Sequence, residues 1–128
     1  MQKLFLSIGA ILGGLAVALG AFGAHGLKKI VSPETVATYQ TGVQYQMYHA
    51  LALLIIGVLS ERYMSSFVNY AGLFFLAGIV CFSGSLYLIV SMQAMNKVIP
   101  GAIGIITPIG GLFFIIGWIL LLAGIIKK

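Results

Sequence analysis

Aspartate is missing altogether from this chain of 128 residues, and glutamate occurs only at Glu34 and Glu61. Both glutamates fall in stretches that read as connections, so no carboxylate is expected at membrane depth. That excludes several chemistries. Proton-coupled transport generally rests on embedded acids, and a di-iron site needs helical glutamates. A glycosidase needs two facing carboxylates, and a Ser-His-Asp triad needs its acid. Cysteine occurs once, at Cys81. An intrachain disulfide and a cysteine-pair metal site are therefore excluded, which leaves Cys81 the role of a small buried residue. Charge is also scarce, at 7% of residues against about 25% in a soluble domain. Such a chain cannot cover its surface in water, and lipid is the solvent that a 61% hydrophobic composition implies.

The net charge of +5 comes from seven basic residues placed singly or in pairs at segment ends. No basic face with interleaved aromatics is present, so nucleic acid is not an expected partner. Cations flanking apolar runs are ordinary membrane anchors, and membrane lipid is the expected surrounding.

Long apolar runs and 17 glycines dominate what is there. About 20 apolar residues cross roughly 30 Å of hydrocarbon. Residues 1–128 divide on that basis into a single domain with spans at 4–24, 40–60, 67–92 and 98–126. Ala21-Phe22-Gly23 resembles a signal cleavage site. The first run is nevertheless too long for a signal core, and three further spans follow. Gly9, Gly13, Ala16, Gly20 and Gly23, three and four residues apart, make a smooth face that another helix can approach closely. Ser32-Pro33-Glu34 reads as a helix start: a cap, a proline for the first turn and an acid at the positive dipole end. A helix from Pro33 to about Ser60 exceeds one crossing. Ala71, Gly78 and Ser85 share a face of the third span. Pro108 is expected to kink the fourth or open a turn in it.

The fold class that follows is an all-α membrane protein, an antiparallel four-transmembrane-helix bundle with helix two overlong and helix four kinked at Pro108. Gly9, Gly13, Gly20, Gly42, Gly78, Gly104 and Gly111 are the expected helix-packing positions. Four spans put both termini on one side, with Lys3, Arg62, Lys127 and Lys128 against Lys28, Lys29 and Lys97 on the other. The bias favours cytoplasmic termini in a multi-pass protein of the cell membrane.

The second helix carries the residues that invite a functional question. Thr38, Gly42, Tyr45, His49, Ala52 and Ile56 form one face, and Tyr39 and Gln46 a neighbouring strip. Polar residues on a membrane helix should face other helices, and an ionisable one at mid-depth raises a functional hypothesis by default. His49 reads either as interhelical adhesive or as the centre of a polar site. Ser83 and Ser85 read as hydrogen-bonding residues rather than nucleophiles. Pro108 frees the Gly104 carbonyl, and Thr107 is the local candidate to satisfy it. His25 ends the first span, about 15 Å in height from His49 at 1.5 Å per residue. Shared metal ligation is therefore not expected. His25 is expected at the interface, bonding the last carbonyls of helix one or pairing with Glu34. Trp118, Tyr63 and Tyr70 read as interfacial or packing aromatics.

Several motifs occur in one order: GAFGAH at Gly20–His25, QTG at Gln40–Gly42, Tyr45-Gln46 followed by His49, FSGSLY at Phe82–Tyr87, TPIGG at Thr107–Gly111, and Gly117-Trp118. Together they resemble the YgdD/YwdK-like family of small multi-pass bacterial membrane proteins, domain of unknown function 423, across nearly the whole chain. The resemblance implies a plasma-membrane protein and transfers no catalytic role. It brings Ser83, Ser85 and Tyr87 into the candidate polar site with Tyr45, Gln46, His49 and Thr107.

The expected function is non-enzymatic: a structural, assembly or accessory membrane component, with a homo-oligomer or a membrane-protein partner implied by the glycine seams. The alternative is a binding site for a quinone, lipid, haem or polar solute around His49. A transporter ranks below both. No resident cofactor is expected.

Overall fold

The computed structural model describes residues 1–127. Lys128, one of the flanking cations counted above, lies outside the described residues. Four long helices account for most of the chain: α1 (Gln2–His25), α2 (Pro33–Arg62), α3 (Ser66–Ala94) and α4 (Gly101–Ile126). All four are long and apolar enough to cross a membrane. A short 3-10 turn, Leu27–Lys29, joins α1 to α2.

Local chemistry sets the ends. The Ser32 hydroxyl accepts from the Thr35 N–H at 3.3 Å, Pro33 occupies the first turn and Glu34 follows it. These are the features that start a helix. Glu61 and Arg62, expected in the turn after the second span, are the last residues of α2 instead. Ser65 caps α3 by accepting from the Phe67 N–H. Beyond Ala94 the chain reverses at Asn96, whose φ of 55° is the left-handed conformation that asparagine tolerates. Val98 and Ile99, expected within the fourth span, precede α4, whose cap is Pro100. Pro108 lies inside α4, and the helix continues through it with no open turn.

The helices pack in chain order. α1 lies along α2, α2 against α3, and α3 against α4. α2 is the most buried span and α1 the least. One side of α2, with Tyr39, Val43, Gln46, Ala50 and Gly57, meets α1. Another, with Gly42, His49 and Ala52, meets the rest. Two apolar clusters result. Phe5, Leu53, Ile56, Val68, Phe75 and Phe114 fill one end. Ala16, Leu27, Tyr39, Val43 and Val90 fill the other.

α3 and α4 interlock through glycine notches. Side chains of Val68 and Phe75 on α3 sit where β-carbons at Gly124 and Gly117 would be, at 2.7 and 2.6 Å. Phe114 on α4 fills the notch at Gly78 in the opposite sense. At Gly110 the approach is backbone to backbone: a β-carbon there would run into the Phe82 amide and lie 2.8 Å from the Cys81 carbonyl carbon. In lipid the hydrophobic drive between helices is absent, so such close fits supply the attraction. Stepping from position 68 to 75, 78, 82 and 85 along α3 matches the steps back from 124 to 117, 114, 110 and 107 along α4.

The small-residue expectations divide on this geometry. Gly9 meets the Ala50 carbonyl and Leu54, Gly20 meets Val43, and Gly42 meets the Tyr87 ring. Gly13 and Gly111 have only loose neighbours, near 4 Å. Gly104 corrects the expectation outright, because nothing lies within 4 Å of it. The close contact in TPIGG belongs to Gly110. Cys81, expected buried, is partly exposed.

α3 contains a feature no residue pattern announced, a π-helical turn at Ile79–Ser83 in which the Gly84 N–H reaches back to the Ile79 carbonyl. The wider turn inserts into an otherwise α-helical run and rotates the faces beyond it.

Gly110→Ala is expected to destabilise the protein by about 1–3 kcal/mol, as overpacking against fixed backbone does. Gly104→Ala should be neutral or stabilising by up to about 1 kcal/mol, the helix-propensity difference. Unfolding in detergent checks both; equal effects would contradict the packing described.

Candidate functional site

Between the two apolar clusters lies a belt of polar side chains. Gln46 and His49 on α2, at 3% and 4% exposure, and Ser83 and Ser85 on α3 are its buried members. Hydrocarbon offers them no partner, so each must find one within the chain.

Gln46 ties three helices. Its Nε2 donates to the Leu12 carbonyl of α1 at 2.8 Å, and its Oε1 accepts from the Tyr87 hydroxyl of α3 at 2.7 Å. Tyr39, one helical strip away, donates to the Leu19 carbonyl at 2.6 Å. The residues following these two carbonyls are Gly13 and Gly20, which leave the backbone open to an approaching side chain. Gly42 does the same for its own carbonyl, which accepts from Ser83 at 2.6 Å.

His49 spans the wider gap between α2 and α4. Its Nδ1 lies 2.8 Å from the Tyr45 carbonyl, and its Nε2 lies 3.1 Å from Trp118 Nε1. A carbonyl can only accept and an indole N–H can only donate. The proton is therefore on Nδ1, the Nε2 lone pair receives the indole, and the imidazole is neutral. The ring also stacks on Phe114, with centroids 3.6 Å apart and planes 8° from parallel, and meets Phe75 at 5.2 Å.

Ser85 and Thr107 join α3 to α4 at 2.6 Å. Ser85 donates its single hydroxyl proton to the Phe82 carbonyl at 2.9 Å, so Thr107 is the donor in the pair. Thr107 is thus spent across the interface and does not satisfy the Gly104 carbonyl, as had been expected of it. Gly104 is exposed.

The expected single polar site is therefore distributed. Gln46 with Tyr87, His49 with Trp118, Ser83 with Gly42, and Ser85 with Thr107 form separate interhelical ties. Tyr45 contributes its backbone to His49, while its phenol has no hydrogen-bond partner among the described residues. Its ring packs on Phe82 at 4.7 Å and is 38% exposed. His25 is exposed at the end of α1, and neither of its expected bonds forms among the described residues: the Gly26 N–H caps the Phe22 carbonyl, and the exposed Glu34 side chain has no partner among them. Among the described residues no group of three His, Cys, Asp or Glu lies close enough to hold a metal.

Trp118 is the functional-site residue that sequence reasoning passed over as a packing aromatic. The signal was present: Gly111, Phe114 and Trp118 share one helix face at three- and four-residue spacing. Beside this face, between α2 and α4, lies a cleft of about 580 Å³ lined by Tyr45, His49, Phe82, Pro108, Phe114 and Trp118 among others. Aromatic rings wall it, and both partners of the His49–Trp118 bond are among its lining.

Residues 19–111 match the family described as protein of unknown function (DUF423). The chain is 49% identical over 126 residues to a UPF0382 membrane protein of Staphylococcus aureus, covering 98% of both chains. It is 45% identical over 126 residues to a UPF0382 membrane protein of Staphylococcus haemolyticus, again with 98% of each covered. Identity to the UPF0382 membrane protein YwdK of Bacillus subtilis is 44% over 127 residues, with 98% of each covered. No solved structure matches the chain.

Trp118→Phe removes the donor to Nε2 and is expected to destabilise the protein by about 1 kcal/mol. In a double-mutant cycle with His49→Phe, the two losses should be less than additive by about 1 kcal/mol. Strict additivity, measured by unfolding in detergent, would show that the bond contributes nothing.

Proposed function

The chain belongs to the family of unknown function DUF423, and we propose that it is a non-enzymatic structural or accessory component of the cell membrane with both termini in the cytoplasm. The observation that carries this reading is the saturation of the polar belt. Among the described residues no buried side-chain nitrogen or oxygen lacks a partner. A general acid or base works within hydrogen-bond reach of a substrate proton, and both nitrogens of His49 are instead within reach of groups of the chain itself. The polar face spends its hydrogen bonds on holding helices together.

Association with another helix rests on the outer face of α1. α1 packs along α2 and reaches α3 through Phe5 at Gly72. Its opposite face exposes Ala10, Gly14, Ala18 and Ala21, and nothing lies within 4 Å of Gly14. Small residues at this spacing admit a second helix backbone. Most glycines of the other helices are filled within the chain, and α1 offers an open run of small residues to a copy of this protein or a membrane partner.

A second reading is favoured by the α2–α4 cleft and the unpartnered Tyr45 phenol: a small apolar ligand carrying one hydrogen-bonding group. In that reading Tyr45 meets the ligand, because His49 is already engaged. Haem ligation through Nε2 would first have to break the Trp118 bond.

Native mass spectrometry and cross-linking in nanodiscs test the first reading. An oligomer or a co-purified membrane protein is expected, and Gly14→Leu should abolish it while leaving the fold unchanged. A strictly monomeric protein with no partner would contradict the proposal. For the second reading, Tyr45→Phe should deplete a co-purified small molecule identified by mass spectrometry; an unchanged ligand content would remove Tyr45 from the site.

A further inference from the structure

A second cleft lies at the opposite corner of the bundle, where α1 and α3 rise on either side of α2 near the 3-10 turn. Its volume is about 380 Å³. Leu27, Tyr39 and Val90, all buried, form its floor, and the exposed Phe22, Ile30 and Met95 stand at its edges. This cleft shares no lining residue with the one beside Trp118.

Its interior offers nothing to a polar guest. The Tyr39 and Tyr87 hydroxyls are spent on the Leu19 carbonyl and Gln46, and the Ser91 hydroxyl on the Tyr87 carbonyl. The rim is the reverse. Lys28 and Lys29 are exposed between Leu27 and Ile30, two residues that line the cleft, and Lys97 follows Met95 on the far bank. None of the three lysines has a side-chain partner among the described residues. Glu34, in the first turn of α2, is the one glutamate near this turn. An apolar slot whose lining residues Leu27 and Ile30 flank two exposed lysines in the chain has the complementarity of an amphiphile with an anionic head.

We infer that this cleft is a binding site for one anionic phospholipid, with an acyl chain between α1 and α3 over Tyr39 and the phosphate at Lys28 and Lys29. The hydrocarbon is buried by the slot, and the lysines select the headgroup. Juxtamembrane lysines attract anionic lipid with an energy equivalent to about fivefold in affinity each. The site stands independently of the oligomer and of the cleft at Trp118.

The test is native mass spectrometry of the full chain released from nanodiscs of equal phosphatidylglycerol and phosphatidylcholine with identical acyl chains. Retention of phosphatidylglycerol over phosphatidylcholine is expected. The double variant Lys28→Gln/Lys29→Gln should lower that preference by about 25-fold, whereas Lys127→Gln, at the other membrane face, should leave it intact. Ala94→Leu, which narrows the slot, should reduce retention of both lipids. Glycerol phosphate alone should not bind. Equal retention of the two lipids by the native chain would overturn the site. So would an unchanged preference in the double lysine variant, equal loss in Lys127→Gln, or binding of glycerol phosphate as tight as that of the lipid. Circular dichroism of the variants checks that each remains helical.

Discussion

Hydrocarbon supplies no hydrogen bonds, and the whole arrangement follows from that constraint. A polar side chain at membrane depth is tolerable only when the protein itself provides its partner. α2 brings Gln46 and His49 to that depth, and each is met by a different neighbour: Leu12 and Tyr87 for the amide, Trp118 for the imidazole. These bonds set which helix lies where. α2 becomes the centre of the bundle because its polar groups point in more than one direction and need helices on each side.

Packing complements the polar ties. Glycine notches accept aromatic and branched side chains, so α3 and α4 approach until backbone meets side chain at Gly117 and Gly124 and backbone meets backbone at Gly110. α2 and α4 stand farther apart, and long side chains bridge them. The same separation leaves an aromatic-walled cleft open beside His49. The π-helical turn serves both contacts of α3. At its end Ser83 bonds the Gly42 carbonyl of α2, while Phe82 packs at Gly110 and Ser85 pairs with Thr107 of α4.

Much of the fold was legible because it rests on strong, local signals. Four apolar runs and the Ser32-Pro33 start each have a direct physical reading. The setting of His49 was legible for the same reason, since a polar helix face in lipid must point inward. Its partners were not. Three of the interhelical acceptors in the belt are backbone carbonyls, at Leu12, Leu19 and Gly42, and every residue owns one. Glycine counts also misled. Gly104 and Gly110 look alike along the chain, yet one faces open space and the other sits against Phe82. The difference is rotation about the α4 axis, which depends on its neighbours. The π-turn was invisible because it arises from packing, not from residue preference. His25 was overread: a histidine near a helix end has a charge to offer, but the backbone of Gly26 had already supplied the cap.

His49 is where these threads meet, since its neutral state and its proton position follow from the two bonds that fix it. Nitrogen-15 magnetic resonance of the histidine-labelled protein in lipid bilayers measures this directly. The expected spectrum shows one proton on His49 Nδ1, an unprotonated Nε2, and a through-bond correlation from Nε2 to the Trp118 indole. A proton on Nε2, or the absence of any correlation to Trp118, would contradict the claim that the polar belt closes on itself.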